Sequence, residues 1–117
     1  MGRGMAVAAG AALVLAFGVT AGAQDAAKIE KGKQVYEAAA PKCKVCHAIA
    51  GAGNAKGSLD GVGSKLKADE VKAWMRTPKE MTDKAKATRK PTMPVYPKEK
   101  MSDDDLEALT AYMVSLK

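Results

Sequence analysis

Between Arg3 and Asp25 the chain carries no charged residue, and Met5 to Val19 is almost wholly Ala, Val, Leu, Gly and Phe. After that the apolar positions take up a helical period. Ile29, Gly32, Val35 and Tyr36 fall on one face and predict a helix over Asp25 to Ala40, with Asp25 as a candidate N-cap and Pro41 as its stop. Gly32 inside that face costs about 1 kcal/mol relative to alanine. Either another helix crosses closely there, or Gly32 is a weak spot in a surface helix. Leu66, Val71, Trp74 and Met75 predict a second helix over Lys65 to Thr77, with Asp69 and Glu70 in its first turn and Pro78 beyond its end. Lys79 to Lys90 is charged; if it coils into a helix, Met81 is its core-facing residue. The clearest helix runs from Ser102 to Lys117. Ser102 caps it, Asp103, Asp104 and Asp105 open it, and Leu106, Leu109, Thr110, Met113 and Leu116 recur at helical spacing with Tyr112 at one edge.

The connecting stretches have no strand alternation. Ala48 to Ser64 contains five glycines and reads as a loop in which Leu59 and Val62 are the buried candidates. It lacks a Gly-Lys-Ser/Thr ending, so phosphate binding is not suggested. Pro91 to Pro97 holds three prolines, which remove donors and fix φ, so it reads as a stiff extended loop around Met93. The chain has no repeats and no interdomain linker: one all-α domain of three main helices and loops.

The first stretch stands apart. A basic start, an apolar run of about fifteen residues and Ala21-Gly22-Ala23 form a secretory signal peptide over residues 1–23, cleaved after Ala23. The run is short of the ~20 residues of a spanning helix, which argues against a retained membrane anchor. The remaining domain, residues 24–117, carries a net charge of +5. Its only aromatics are Tyr36, Trp74, Tyr96 and Tyr112, a modest core for so small a domain. A large apolar cofactor would fill that shortage.

Cys43-Lys44-Val45-Cys46-His47 supplies the chemistry. Two cysteines three positions apart lie on one face of a helical turn, with the single histidine of the chain directly after the second. C-x-x-C-H reads as a covalent attachment site for c-type haem, the thiols reaching two vinyl groups and His47 binding iron. A thioredoxin-like pair needs a βαβ pattern, which is absent, and a closed zinc site needs four N/S ligands, where only three such residues exist. On the far side of the iron the position is open, or filled by methionine, lysine or water. Met75 and Met113 fit helix faces and Met101 suits a hydrophobic staple, leaving Met93, held between prolines, ahead of Met81. A backbone carbonyl near Ser58 is the candidate acceptor for the other N–H of His47.

Taken together, these residues resemble a class I cytochrome c. The resemblance covers residues 24–117 and rests on Cys43 to His47, Gly32 with Tyr36, Leu59-Asp60-Gly61-Val62-Gly63, Met93-Pro94, and Leu106 to Tyr112. It implies a fold wrapped around one haem c, attached through Cys43 and Cys46, ligated by His47 and Met93, and packed by Leu59, Trp74 and Tyr96. It also implies that the first and last helices cross at Gly32 near Leu109 or Tyr112. The family usually has a proline before the leucine of the middle loop, where this chain has Ser58.

The function implied is periplasmic single-electron transfer by a monomer. Lysines 42, 44, 56, 65, 67, 72, 79, 98 and 100 either form a basic ring for acidic redox partners or simply solvate the surface. Secretion and the lack of interleaved aromatics argue against nucleic acid. The alternatives are a peroxidase-like enzyme or ligand sensor with open iron, and an electron-relay subunit of a larger oxidoreductase.

Overall fold

A computed structural model of the protein describes Gly10, Ala12, Leu13 and residues 21–117. The expected leader, residues 1–23, otherwise lies outside the described residues. Helix α1 spans Ala21–Ala38. It starts before Asp25, which is therefore an exposed residue within the helix and not its cap. Ala21, Ala23 and Gln24 favour the helix enough to carry it back past Asp25 despite Gly22.

A single 3₁₀ turn, Cys43–Val45, follows. The glycine-rich stretch then departs from the expected loop. It folds into a small antiparallel hairpin, β1 (Ala48–Ile49) with β2 (Ala52–Gly53), and a 3₁₀ turn at Ala55–Gly57. Two-residue strands are too short for alternation to register. Asp60 accepts the Ala50 N–H at 2.8 Å and so supports the hairpin turn, where Ala50 has a φ of 50°.

The helix expected over 65–77 is divided. One turn, α2, covers Val62–Lys65, Leu66 is extended, and α3 begins afresh at Ala68 and ends at Arg76. The Glu70 carboxylate accepts the Lys67 N–H at 3.1 Å, which sets the new start. Pro78 does more than end a helix: with no N–H to satisfy, it occupies the first position of α4, Pro78–Ala85. Helix α5 covers Asp103–Ser115, capped as expected by Ser102, whose Oγ accepts the Asp105 N–H at 3.1 Å. Among the described residues no helix is long and apolar enough to cross a membrane.

Tyr36, Val71, Met75, Tyr96, Met101, Leu106, Leu109 and Met113 form the core. Its frame is the packing of α1 on α5. At their crossing, a Cβ on Gly32 would lie 2.1 Å from the Ala108 carbonyl oxygen and 2.7 Å from Tyr112 Cβ. Gly32 is thus the close-approach point, not a weak spot on a surface. One turn on, Tyr36 and Tyr112 pack edge to face, centroids 6.1 Å apart at 81°.

Gly32→Ala tests that frame. The added methyl improves helix propensity by about 1 kcal/mol, but it meets rigid backbone, and overpacking of this kind costs about 1–3 kcal/mol or more. The clash wins. Thermal melting monitored by circular dichroism is expected to show a lower Tm, by about 4–8 °C for each kcal/mol of net loss in a domain of this size.

Candidate functional site

Beside the α1–α5 frame lies an apolar cavity of about 320 Å³. Each wall comes from a different part of the chain. The 3₁₀ turn contributes Cys43, Cys46 and His47; the segment around α2 contributes Leu59, Val62 and Leu66; α3 contributes Val71, Trp74 and Met75. Tyr36 reaches it from α1, Leu109 and Met113 from α5, and Met93, Pro94 and Tyr96 from the proline loop. Leu59, Trp74, Tyr96 and Met93, singled out from sequence together with the Cys-His motif, therefore all lie on one wall system. Met81 does not line it.

The turn is built to present its side chains together. The Cys43 carbonyl accepts from the N–H of Cys46 at 3.1 Å and of His47 at 2.8 Å, closing the backbone into a tight coil. Asn54 fastens the coil to the hairpin: its N–H donates to the His47 carbonyl at 2.9 Å and its amide to the Val45 carbonyl at 3.1 Å. Leu59 N–H donates to the Ala48 carbonyl at 2.8 Å, which brings the next turn alongside. The Gly57 carbonyl then lies 2.9 Å from His47 Nδ1. A carbonyl can only accept, so Nδ1 carries the proton and Nε2 keeps its lone pair. The acceptor is thus Gly57, one residue before Ser58. Gly57 is a glycine because a Cβ there would lie 2.0 Å from the Cys46 carbonyl oxygen.

The methionine side is held as firmly. Within the proline loop, Tyr96 N–H donates to the Met75 carbonyl at 2.9 Å and Tyr96 Oη to the Pro41 carbonyl at 2.5 Å. Arg76 clamps the far end, donating through Nη1 to the carbonyls of Tyr96 (2.6 Å) and Met101 (2.8 Å) and through Nη2 to Asp103 (3.0 Å). Sequence reasoning did not single out Arg76. Its position in the last turn of an amphipathic helix was the one available signal. Met75 and Met113 also reach the cavity, each 5% exposed and built into a helix, whereas Met93 is half-buried outside any helix.

The electrostatics suit ligation rather than thiol chemistry. Burial pushes the Cys43 thiol up to about 11, the reverse of the depressed pKa of a reactive thiolate. Burial also lowers the pKa of His47, partly offset by its bond to Gly57, so the ring is neutral at physiological pH. Cys43 and Cys46 are not joined as a disulfide. Two free thiols, one neutral imidazole with a free Nε2 and a thioether, on a wall otherwise almost wholly apolar, fit a haem and its iron.

Comparison with known proteins agrees. The family model described as Cytochrome c matches residues 29–117. Cytochrome c oxidase subunit 2 of Alkalihalophilus pseudofirmus is 33% identical over 96 residues, 74% of this chain. The chain spans about a quarter of that relative's length, 25%. No solved structure matches. Motif, all-α fold and cavity therefore converge with the matched family: the chain belongs to the cytochrome c family, whose members carry covalently bound c-type haem and transfer electrons.

Proposed function

We propose that the protein is an exported, periplasmic monohaem electron carrier in which His47 and Met93 would hold the iron. The observation that carries this is the convergence of Cys43, Cys46, His47 and Met93, from segments far apart in the chain, on one apolar cavity. When bound, the haem supplies a one-electron Fe(II)/Fe(III) couple. Cys43 and Cys46 hold it covalently, His47 offers Nε2 while Gly57 fixes its tautomer, and Leu59, Trp74 and Tyr96 exclude water. Met93, on a loop pinned through Tyr96, offers a soft sulfur that favours Fe(II) and closes the site to added ligands.

The exchange surface is the cavity mouth. Val45 lines the cavity yet is 69% exposed, and Lys42 lines it beside Cys43. Of the nine lysines in the expected ring, Lys44, Lys72, Lys79 and Lys98 are paired with Glu37, Glu107, Asp83 and Asp103. Among the described residues, Lys42, Lys56, Lys65, Lys67 and Lys100 make no ion pair and carry the attraction for acidic redox partners. The matched oxidase subunit favours a second reading, in which the domain relays electrons within a larger assembly. Size-exclusion chromatography at low salt separates a monomeric carrier from a subunit that requires its partner.

Spectroscopy of Met93→Ala tests the ligand. The wild-type protein is expected to show the methionine–iron charge-transfer band of the oxidised state and to ignore carbon monoxide. The variant should lose the band and bind the gas. Carbon monoxide binding by the wild type would support an open-iron enzyme or sensor in place of a carrier.

The charge at the mouth gives a further prediction. Oxidation of the reduced protein by anionic ferricyanide should slow with rising ionic strength, and Lys42→Glu should slow it further while speeding oxidation by a cationic cobalt complex. Stopped-flow rates that respond to neither salt nor Lys42→Glu would leave the lysines a solvating role only.

A further inference from the structure

Arg89 stands out from the other cations of the domain. It is one of two cationic side chains, with Lys42, that line the cavity, and no acidic residue lines it. Among the described residues it makes no ion pair, whereas Arg76 is tied down by three contacts. A Cβ built on Gly57 would lie 2.1 Å from Arg89 Nη1 and 3.1 Å from its Cζ, so the guanidinium of this exposed residue reaches the bare Gly57 backbone through Nη1. The carbonyl of that same residue accepts the His47 Nδ1 proton. Arg89 also belongs to the loop that carries Met93, four residues further on.

From this juxtaposition we infer that Arg89 is a positioning residue for the iron couple, acting on His47 through Gly57. The inference rests on His47 being the iron ligand. The planar group covers Gly57 where no side chain of its own is possible, and so shields the His47 N–H···O=C bond from water. Its fixed positive charge acts in the same place. A cation beside the accepting carbonyl weakens that carbonyl's pull on the Nδ1 proton and makes the imidazole a poorer donor to Fe(III). It also opposes the positive charge gained by the iron on oxidation. Both effects favour the reduced state. Arginine suits this role better than lysine because its planar fork is always charged and presents several N–H groups in fixed directions.

Coverage and charge can be separated experimentally. The holoprotein would be prepared as wild type, Arg89→Ala and Arg89→Lys, with haem content and far-UV circular dichroism checked first. Two properties are read: exchange of the His47 Nδ1 proton with solvent, by proton NMR of the haem-linked histidine, and the oxidised-to-reduced ratio at a fixed applied potential. Arg89→Ala should speed exchange by about five- to tenfold, the loss of one protected hydrogen bond. It should also shift the ratio toward the oxidised form by about three- to tenfold, a charge effect moderated by solvent screening. Arg89→Lys keeps the charge and loses the plate, so exchange should quicken while the ratio stays near wild type. Wild-type values of both properties in Arg89→Ala would overturn the role of Arg89 alone. A wild-type spectrum with no iron-bound histidine signal would overturn the ligand reading and this inference together.

Discussion

Two helix backbones can approach within van der Waals contact only where a side chain is missing, and between α1 and α5 that place is Gly32. Everything that forms the cavity depends on the resulting crossing. Because α1 lies against Ala108 and Tyr112 of α5, the turn bearing Cys43 to His47, which directly follows α1, is brought to the same side as Leu109 and Met113. The proline loop precedes α5 and is delivered to the other edge. A domain with few aromatics thus reserves much of its interior for a cofactor, and the protein atoms alone form an incomplete core around it.

The parts of this arrangement that were legible in the sequence are those set by local chemistry. Cys43, Cys46 and His47 announce themselves by type and spacing, and Ser102 with three aspartates marks the start of α5 without ambiguity. Gly32 was legible as an anomaly, since a glycine on an apolar face asks for a reason. Residues whose role is set by distant backbone were not legible. Leu66 keeps a helical spacing with Val71 and Trp74 yet leaves the helix, because the choice between continuing from α2 and restarting at Ala68 turns on one capping contact from Glu70. Asp25 fails as a cap for the opposite reason: the alanines before it extend the helix. Gly57 was hidden among five glycines, and only the geometry shows which of them accepts from His47. Arg76 had only its place in the last turn of α3 to mark it, and Arg89 had no pattern, since each acts on backbone groups of remote segments.

The electrostatic design follows from burial more than from ion pairs. The surface pairs are exposed and add little to stability. The groups that matter are nearly neutral: a thiol that burial keeps protonated until about 11, an imidazole that burial keeps uncharged, and a phenol, Tyr96, that burial pushes up to about 12. An uncharged lining leaves the iron's own change of charge as the main electrostatic event in the cavity. That gives the few cations at its edge disproportionate influence over which oxidation state is favoured.

Tyr96 has a consequence of a different kind. One phenolic O–H to Pro41 joins the segment before the cysteine turn to the segment after Met93, two residues 55 apart in sequence. The helices need not melt for it to break. The proline loop is held to α3 by the Tyr96 N–H and by Arg76, and to the segment before the cysteine turn by the Tyr96 hydroxyl. The two sides of the cavity are thus held by different means: the histidine side by the backbone hydrogen bonds of the cysteine turn and hairpin, the methionine side chiefly by side-chain bonds from Tyr96 and Arg76.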